Sequence, residues 1–171
     1  MDLLQFLTES APASVFAQCV TANSAKMPDH DNVAITIKFA NDSVGHISYL
    51  ACGDKAMAKE RVEIFGGGQS FVIDDFGVGE HYAGGKCQRL KMPGKGHREE
   101  VEAFLEAIRQ GSPSPIPLDS LVQTTATTFA ILDSLRTGLP QTLHRSPVGE
   151  GWCVNSSRAI EVSSQTQCHL R

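Results

Sequence analysis

No apolar run in this 171-residue sequence approaches the roughly 20 residues that a membrane-spanning helix needs. No basic stretch dominates either. The formal net charge is −4, which argues against nucleic acid as the main partner. Cys-x-x-Cys pairs are missing. The five cysteines, Cys19, Cys52, Cys87, Cys153 and Cys168, are odd in number and scattered, as expected of unpaired thiols in a cytoplasmic protein. Residues 1–7 are too short and too acidic for a signal peptide. No Gly-x-Ser-x-Gly or other setting for a nucleophile occurs. The six histidines never fall at the helical i, i+4 spacing of a metal site; His30 beside Asp31 and His81 beside Glu80 come nearest to clusters. Hydrophobic residues at 41% and charged residues at 20% leave a globular domain with a genuine core.

The glycines do not make a nucleotide-binding turn. Gly66-Gly67-Gly68 follows a strand pattern but leads into another strand, not into a helix whose N-terminus could hold a pyrophosphate. Gly77-Val78-Gly79 lacks the third glycine, its position being Tyr82. Both read as turns. Asp74 and Asp75, as neighbours in a strand, point to opposite faces and cannot serve one substrate as a pair.

What is present is a block of strands over residues 32–76. In residues 32–40, Val33, Ile35, Ile37 and Phe39 alternate with Ala34, Thr36 and Lys38, the period of two of a strand with one face buried. Asn41-Asp42 makes a tight hairpin turn. In the return strand, 44–52, Val44, His46, Ser48 and Leu50 share one face and Ile47, Tyr49 and Ala51 the other. Neither face is strongly polar, so both are expected to be covered. A loop at 53–58 leads to a third strand at 60–65, the glycine turn, and a fourth at 69–76.

Around this block, Leu3, Leu4 and Leu7 give residues 2–8 the pattern of a short amphipathic helix, the tail of a longer one, since about two turns are marginal alone. Residues 12–21 alternate as a strand, 22–31 form a polar loop, and a weaker strand falls within 81–92. Val101, Phe104, Leu105 and Ile108 stripe a helix over 97–110, with acidic residues in its first turn and Gly111 at its end. A second helix spans about 119–137, with Ser120 and Gln123 as a capping box and an apolar stripe of Leu121, Val122, Thr125, Phe129 and Leu132. Its threonines are poor helix formers, so packing must hold it. Residues 144–171 are polar, lack a period and contain the sole tryptophan, Trp152.

Several strings in this order resemble one family. Asp2-Leu3-Leu4-Gln5-Phe6-Leu7, Asn32-Val33-Ala34-Ile35-Thr36-Ile37-Lys38-Phe39, Lys59-Glu60-Arg61-Val62-Glu63-Ile64-Phe65-Gly66-Gly67, Glu100-Val101-Glu102-Ala103-Phe104-Leu105 and Ser134-Leu135-Arg136-Thr137-Gly138 look like the C-terminal domain of the Gfo/Idh/MocA oxidoreductases. The branch fused to zinc-type alcohol dehydrogenases in cell-surface sugar synthesis is the most similar. The resemblance runs from Met1 to Leu143. It implies an open, mainly antiparallel sheet with helices on one face, the other face meeting a partner subunit and closing over a sugar-like substrate. It also implies NAD or NADP, held by an N-terminal Rossmann domain with a Gly-rich turn and a Glu-Lys-Pro segment. None of these is in this sequence. The family's catalytic histidine precedes the aspartate matched by Asp2, at a position this sequence does not contain.

The expected fold is therefore α+β: a mixed, mostly antiparallel open sheet of about six strands with helices packed on one face, of the dihydrodipicolinate-reductase-like C-terminal type. Residues 1–143 form that domain and 144–171 a polar tail or docking arm. The expected role is substrate-site closure and oligomerisation within an NAD(P)-dependent sugar-type oxidoreductase. No catalytic, cofactor-binding or metal-binding residue is assigned to this chain alone, which is expected to be inactive and to bind no cofactor by itself. His46, Ser48, Tyr49 and His97 are the candidate substrate-binding or interface residues. The expected partners are a second copy through the open sheet face and a Rossmann-domain chain, with no nucleic acid and no membrane. The alternative is a stand-alone dimeric interaction or small-ligand-binding module that reuses the sheet.

Overall fold

A computed structural model describes residues 1–20, 31–145 and 152–154, and the side chains of all of these except Arg145 and the last three. The chain forms two compact units, one of residues 1–50 with 118–171, the other of residues 51–117.

The first unit contains α1 (Asp2–Thr8), β1 (Pro12–Cys19), β2 (Asn32–Phe39), β3 (Val44–Leu50), α3 (Leu118–Thr137), β8 (Gln141–Arg145) and β9 (Trp152–Val154). Its antiparallel sheet has the order β3-β2-β1-β8-β9. The alternation in β2 does what its period of two dictates. Val33, Ile35, Ile37 and Phe39 are buried, while Ala34, Thr36 and Lys38 are exposed. The register carries that division across the sheet, because Val15 faces Ile37, Ala17 faces Ile35 and Gly45 faces Ile37. These residues and Leu143 form the core against Ala126, Ala130 and Ile131 of α3.

The helix buries a different face from the one its large residues mark. Gln123, Ala126, Thr127, Ala130, Ile131 and Ser134 face the sheet. Leu121, Phe129 and Leu132 of the expected stripe are exposed. The strands already fill the core with Ile37 and Phe39, so small helix residues let the backbone come close. The buried Thr127 hydroxyl donates to the Gln123 carbonyl at 2.7 Å, which satisfies it inside the helix. Ser120 lies within the helix rather than at its cap. It accepts from Gln5 Nε2 at 3.2 Å, and the same amide donates to Gln123 Oε1 at 2.8 Å, tying α1 to α3.

The second unit contains β4 (Arg61–Gly66), β5 (Gln69–Asp74), β6 (Val78–Ala83), β7 (Lys86–Lys91) and α2 (His97–Gln110). The four strands form an antiparallel meander, β4-β5-β6-β7. The single weak strand expected in 81–92 is two: β6 and β7 turn at Gly84-Gly85, with φ of 56° and 71°. These are the left-handed values of a two-residue hairpin. In α2, Val101, Phe104, Leu105 and Ile108 are 44–61% exposed, and only Ala107 is buried.

The α+β class with antiparallel sheets thus holds, with nine described strands divided between two sheets where one of about six was expected. The polar loop at 22–30 and most of 144–171 lie outside the described residues. His144 and Arg145, expected to open the tail, continue β8, which β9 joins in register.

Candidate functional site

The open face of the first unit's sheet, opposite α3, holds the expected site residues that come together. Alternation in β3 puts Val44, His46, Ser48 and Leu50 on that face. Their partners in β2 are Lys38, Thr36, Ala34 and Asn32. His46 Nε2 and Ser48 Oγ are 3.0 Å apart, a hydrogen bond between alternate residues of one strand. Both side chains are exposed. Phe16 adds an aromatic surface beside Thr36. Lys38 Nζ pairs with Asp42 Oδ1 at 2.8 Å, and this bond holds the Asp42 carboxyl below its ordinary pKa.

Tyr49 does not join this pair. It lies on the other face of β3, opposite Val33, and is 59% exposed because β3 is an edge strand. His97 belongs to the second unit, exposed at the first position of α2 after Gly96. A histidine not singled out in the sequence does share the open face. Leu143 is buried, so Thr142 and His144 alternate outward, and Thr142 faces Ser14 across the β1–β8 ladder. The alternation in Gln141–His144 was the signal for it.

Chemically, this face offers hydrogen-bond donors and acceptors at His46, Ser48 and Thr36 and an apolar surface at Phe16. That combination suits a hydroxylated ligand or a facing protein surface. Among the described residues it carries no acid–base chain, because the His46 hydrogen bond ends at Ser48.

One face of the second unit's sheet is charged, with a shallow hollow of about 140 Å³ lined by Arg61, Val72, Asp74, Val78, Glu80 and Arg89. Its charges answer one another. Arg61 Nε bonds Glu63 Oε1 at 2.8 Å, which raises the arginine's pKa. The Tyr82 hydroxyl donates to Glu80 Oε2 at 2.8 Å, and the loss of that bond on ionisation pushes the phenol up to about 12.

The two described glycine turns do not fit a dinucleotide. Gly67 and Gly68 close the β4–β5 hairpin, with φ of 57° and 73°, and Gly77-Val78-Gly79 enters β6. Neither turn opens a helix. Among the described residues no three His, Cys, Asp or Glu side chains come together as a metal site. No described helix is long and apolar enough to cross a membrane.

The sequence matches no known family model and no curated protein. Its architecture, however, recurs in solved oxidoreductases. The likeness is one of fold. UDP-N-acetylglucosamine 3-dehydrogenase from Acidithiobacillus ferrooxidans aligns over 78% of this chain and 43% of its own, with 20% identity and a TM-score of 0.65. An aldose-aldose oxidoreductase from Caulobacter crescentus, complexed with glycerol, aligns over 83% and 44%, with 16% identity and a TM-score of 0.67. An Agrobacterium radiobacter oxidoreductase, in complex with NAD+, L-tartaric acid and magnesium, aligns over 82% and 46%, with 12% identity and a TM-score of 0.70. The chain therefore spans less than half the length of each of these structures.

Proposed function

We propose that this chain is the C-terminal, substrate-closing and oligomerising domain of an NAD(P)-dependent oxidoreductase of the Gfo/Idh/MocA type that acts on a sugar. One observation supports the reading above others: about four fifths of the chain shares its fold with less than half of several oxidoreductases. Two of those proteins are named for sugar substrates and a third was solved with NAD+. In this reading a Rossmann half, supplied in the same chain or by a partner, holds the dinucleotide. The sheet described here supplies a wall. His46 and Ser48 bind sugar hydroxyls or meet a second copy across the open face, and the assembly works in the cytoplasm.

NADH fluorescence titration of the purified chain, with sedimentation equilibrium of the same sample, tests the proposal. The expected result is an oligomer that binds no NADH up to millimolar concentration, about −4 kcal/mol or weaker. Micromolar NADH binding would overturn it, since the cofactor site would then lie in this chain. A ligand-binding oligomer indifferent to any Rossmann partner would favour the stand-alone module.

A further inference from the structure

Among the described residues, the outer edge of β3 is a seven-residue strand edge without the usual protection. In the β2–β3 ladder the hairpin closes with Phe39 N–H donating to the Ser43 carbonyl at 2.9 Å. From there the register Ile37–Gly45, Ile35–Ile47 and Val33–Tyr49 aims the backbone groups of Gly45, Ile47 and Tyr49 at β2. Those of Val44, His46, Ser48 and Leu50 therefore point outward, and no described strand meets them. Edges are ordinarily blunted by charges, proline or bulges. β4 carries Arg61 and Glu63, and β7 carries Lys86, Arg89 and Lys91. Val44–Leu50 has none of these, and Val44, Tyr49 and Leu50 are each about 60% exposed.

We propose that the occupant of this edge is β3 of a second copy, paired antiparallel about a twofold axis at Ile47. This association goes beyond the open-face contact of the proposed function and uses a different surface. Four features of the strand support a second copy rather than another partner. Centring on Ile47 matches all four outward residues, His46 with the partner's Ser48 and Val44 with the partner's Leu50, so every outward N–H and C=O is satisfied. No charged residue lies on β3 to oppose its own image. His46 and Ser48 already form a hydrogen-bonding pair at 3.0 Å and would exchange partners across the axis. Tyr49 falls opposite glycine, Gly45, a pairing in which an aromatic covers an empty pleat position. There it gains the apolar neighbour Leu4, whose Cδ1 would be 2.8 Å from a Cβ at Gly45. The two five-stranded sheets would become one continuous sheet.

Disulfide trapping with register controls tests this. Antiparallel partners at a non-hydrogen-bonded site have Cα atoms about 4.5 Å apart, within disulfide range. Ile47→Cys should give a disulfide-linked dimer above the background of the native thiols, and Tyr49→Cys should not. Ser48→Pro removes an outward N–H without touching the β2 ladder, so it should abolish the cross-link in the Ile47→Cys chain. By itself it should weaken association roughly thirtyfold, two hydrogen bonds by symmetry. Ala34→Arg, on the open face one strand in from the edge, should leave the cross-link intact. Where Ile47→Cys does not fold, His46→Cys with Ser48→Cys, both exposed, takes its place. A folded chain that fails to cross-link at 47, or one that still does so with Ser48→Pro, overturns the proposal.

Discussion

The hydroxyl of Ser134 stands between Ala17 and Leu139 where a strand ladder would otherwise continue. It accepts the Ala17 N–H at 2.9 Å and donates to the Leu139 carbonyl at 2.8 Å. The β1–β8 register pairs Ser14 with Thr142 and Val15 with Gln141, and the next hydrogen-bonded pair in that register would be Ala17 and Leu139. The helix thus inserts one side-chain oxygen into the gap, and Ser134 is fully buried in doing so.

Ser134→Ala should therefore cost more than a typical serine. It leaves the buried Ala17 N–H without its acceptor and the Leu139 carbonyl with only the Gln141 amide as donor, at 3.2 Å, a loss of about 1–3 kcal/mol. Urea unfolding should show a lower midpoint with unchanged slope, and hydrogen exchange should quicken at Ala17. An unchanged midpoint would mean that water replaces the hydroxyl at no cost.

Gly45 is a packing glycine, not a turn glycine. A Cβ there would meet Leu4 Cδ1 at 2.8 Å and Phe39 Cε2 at 3.2 Å. Gly45→Val should destabilise by about 1–3 kcal/mol through overpacking. Leu4→Ala should recover part of that loss in a double-mutant cycle. If the two changes are simply additive, Leu4 is not the neighbour that forbids the side chain.

Tyr82 makes a pH-dependent contribution with a definite sign. Its hydrogen bond to Glu80 raises the folded-state pKa from 10.0 to about 12, so folding favours the neutral phenol. The stabilisation is complete below the unfolded-state value and is lost as pH rises through about 12. In a Tyr49→Phe background, where Tyr82 is the remaining tyrosine, the tyrosinate absorbance should titrate near 12, and Glu80→Gln should bring it down toward 10. A midpoint that ignores the Glu80 substitution would sink this account.

Much of the fold was legible because strands report themselves locally. The period of two in Val33–Phe39 named the buried face of β2, and Asn41-Asp42 placed the hairpin that sets the β3 register. Gly84-Gly85 held the same kind of signal for β6 and β7, but the weakly patterned Lys86–Lys91, exposed throughout, masked it. The helices were legible as helices and misread as surfaces. In α3 the large residues Leu121, Phe129 and Leu132 look like the core stripe, and Ala126, Thr127, Ala130 and Ser134 occupy it. Periodicity finds an apolar face. It does not say how much room the opposing layer leaves.

The candidate site divides along the same line. His46 and Ser48 share a face because alternate strand residues must, and Tyr49 is excluded from it for the same reason. His97 could be placed at a helix start from sequence, but no local pattern relates it to His46. By itself the sequence determined the α+β class, the strand faces, the hairpin turns and that the two glycine turns lead into strands rather than helices, all set by residues within a few positions of one another. Tertiary structure alone decided that the strands form two sheets, that α3 turns its small residues inward, that Gln5 ties α1 to α3, and that Ser134 completes a ladder 117 residues away from Ala17. These depend on which distant segments meet, and a chain's local pattern holds no record of the volume its partners already fill.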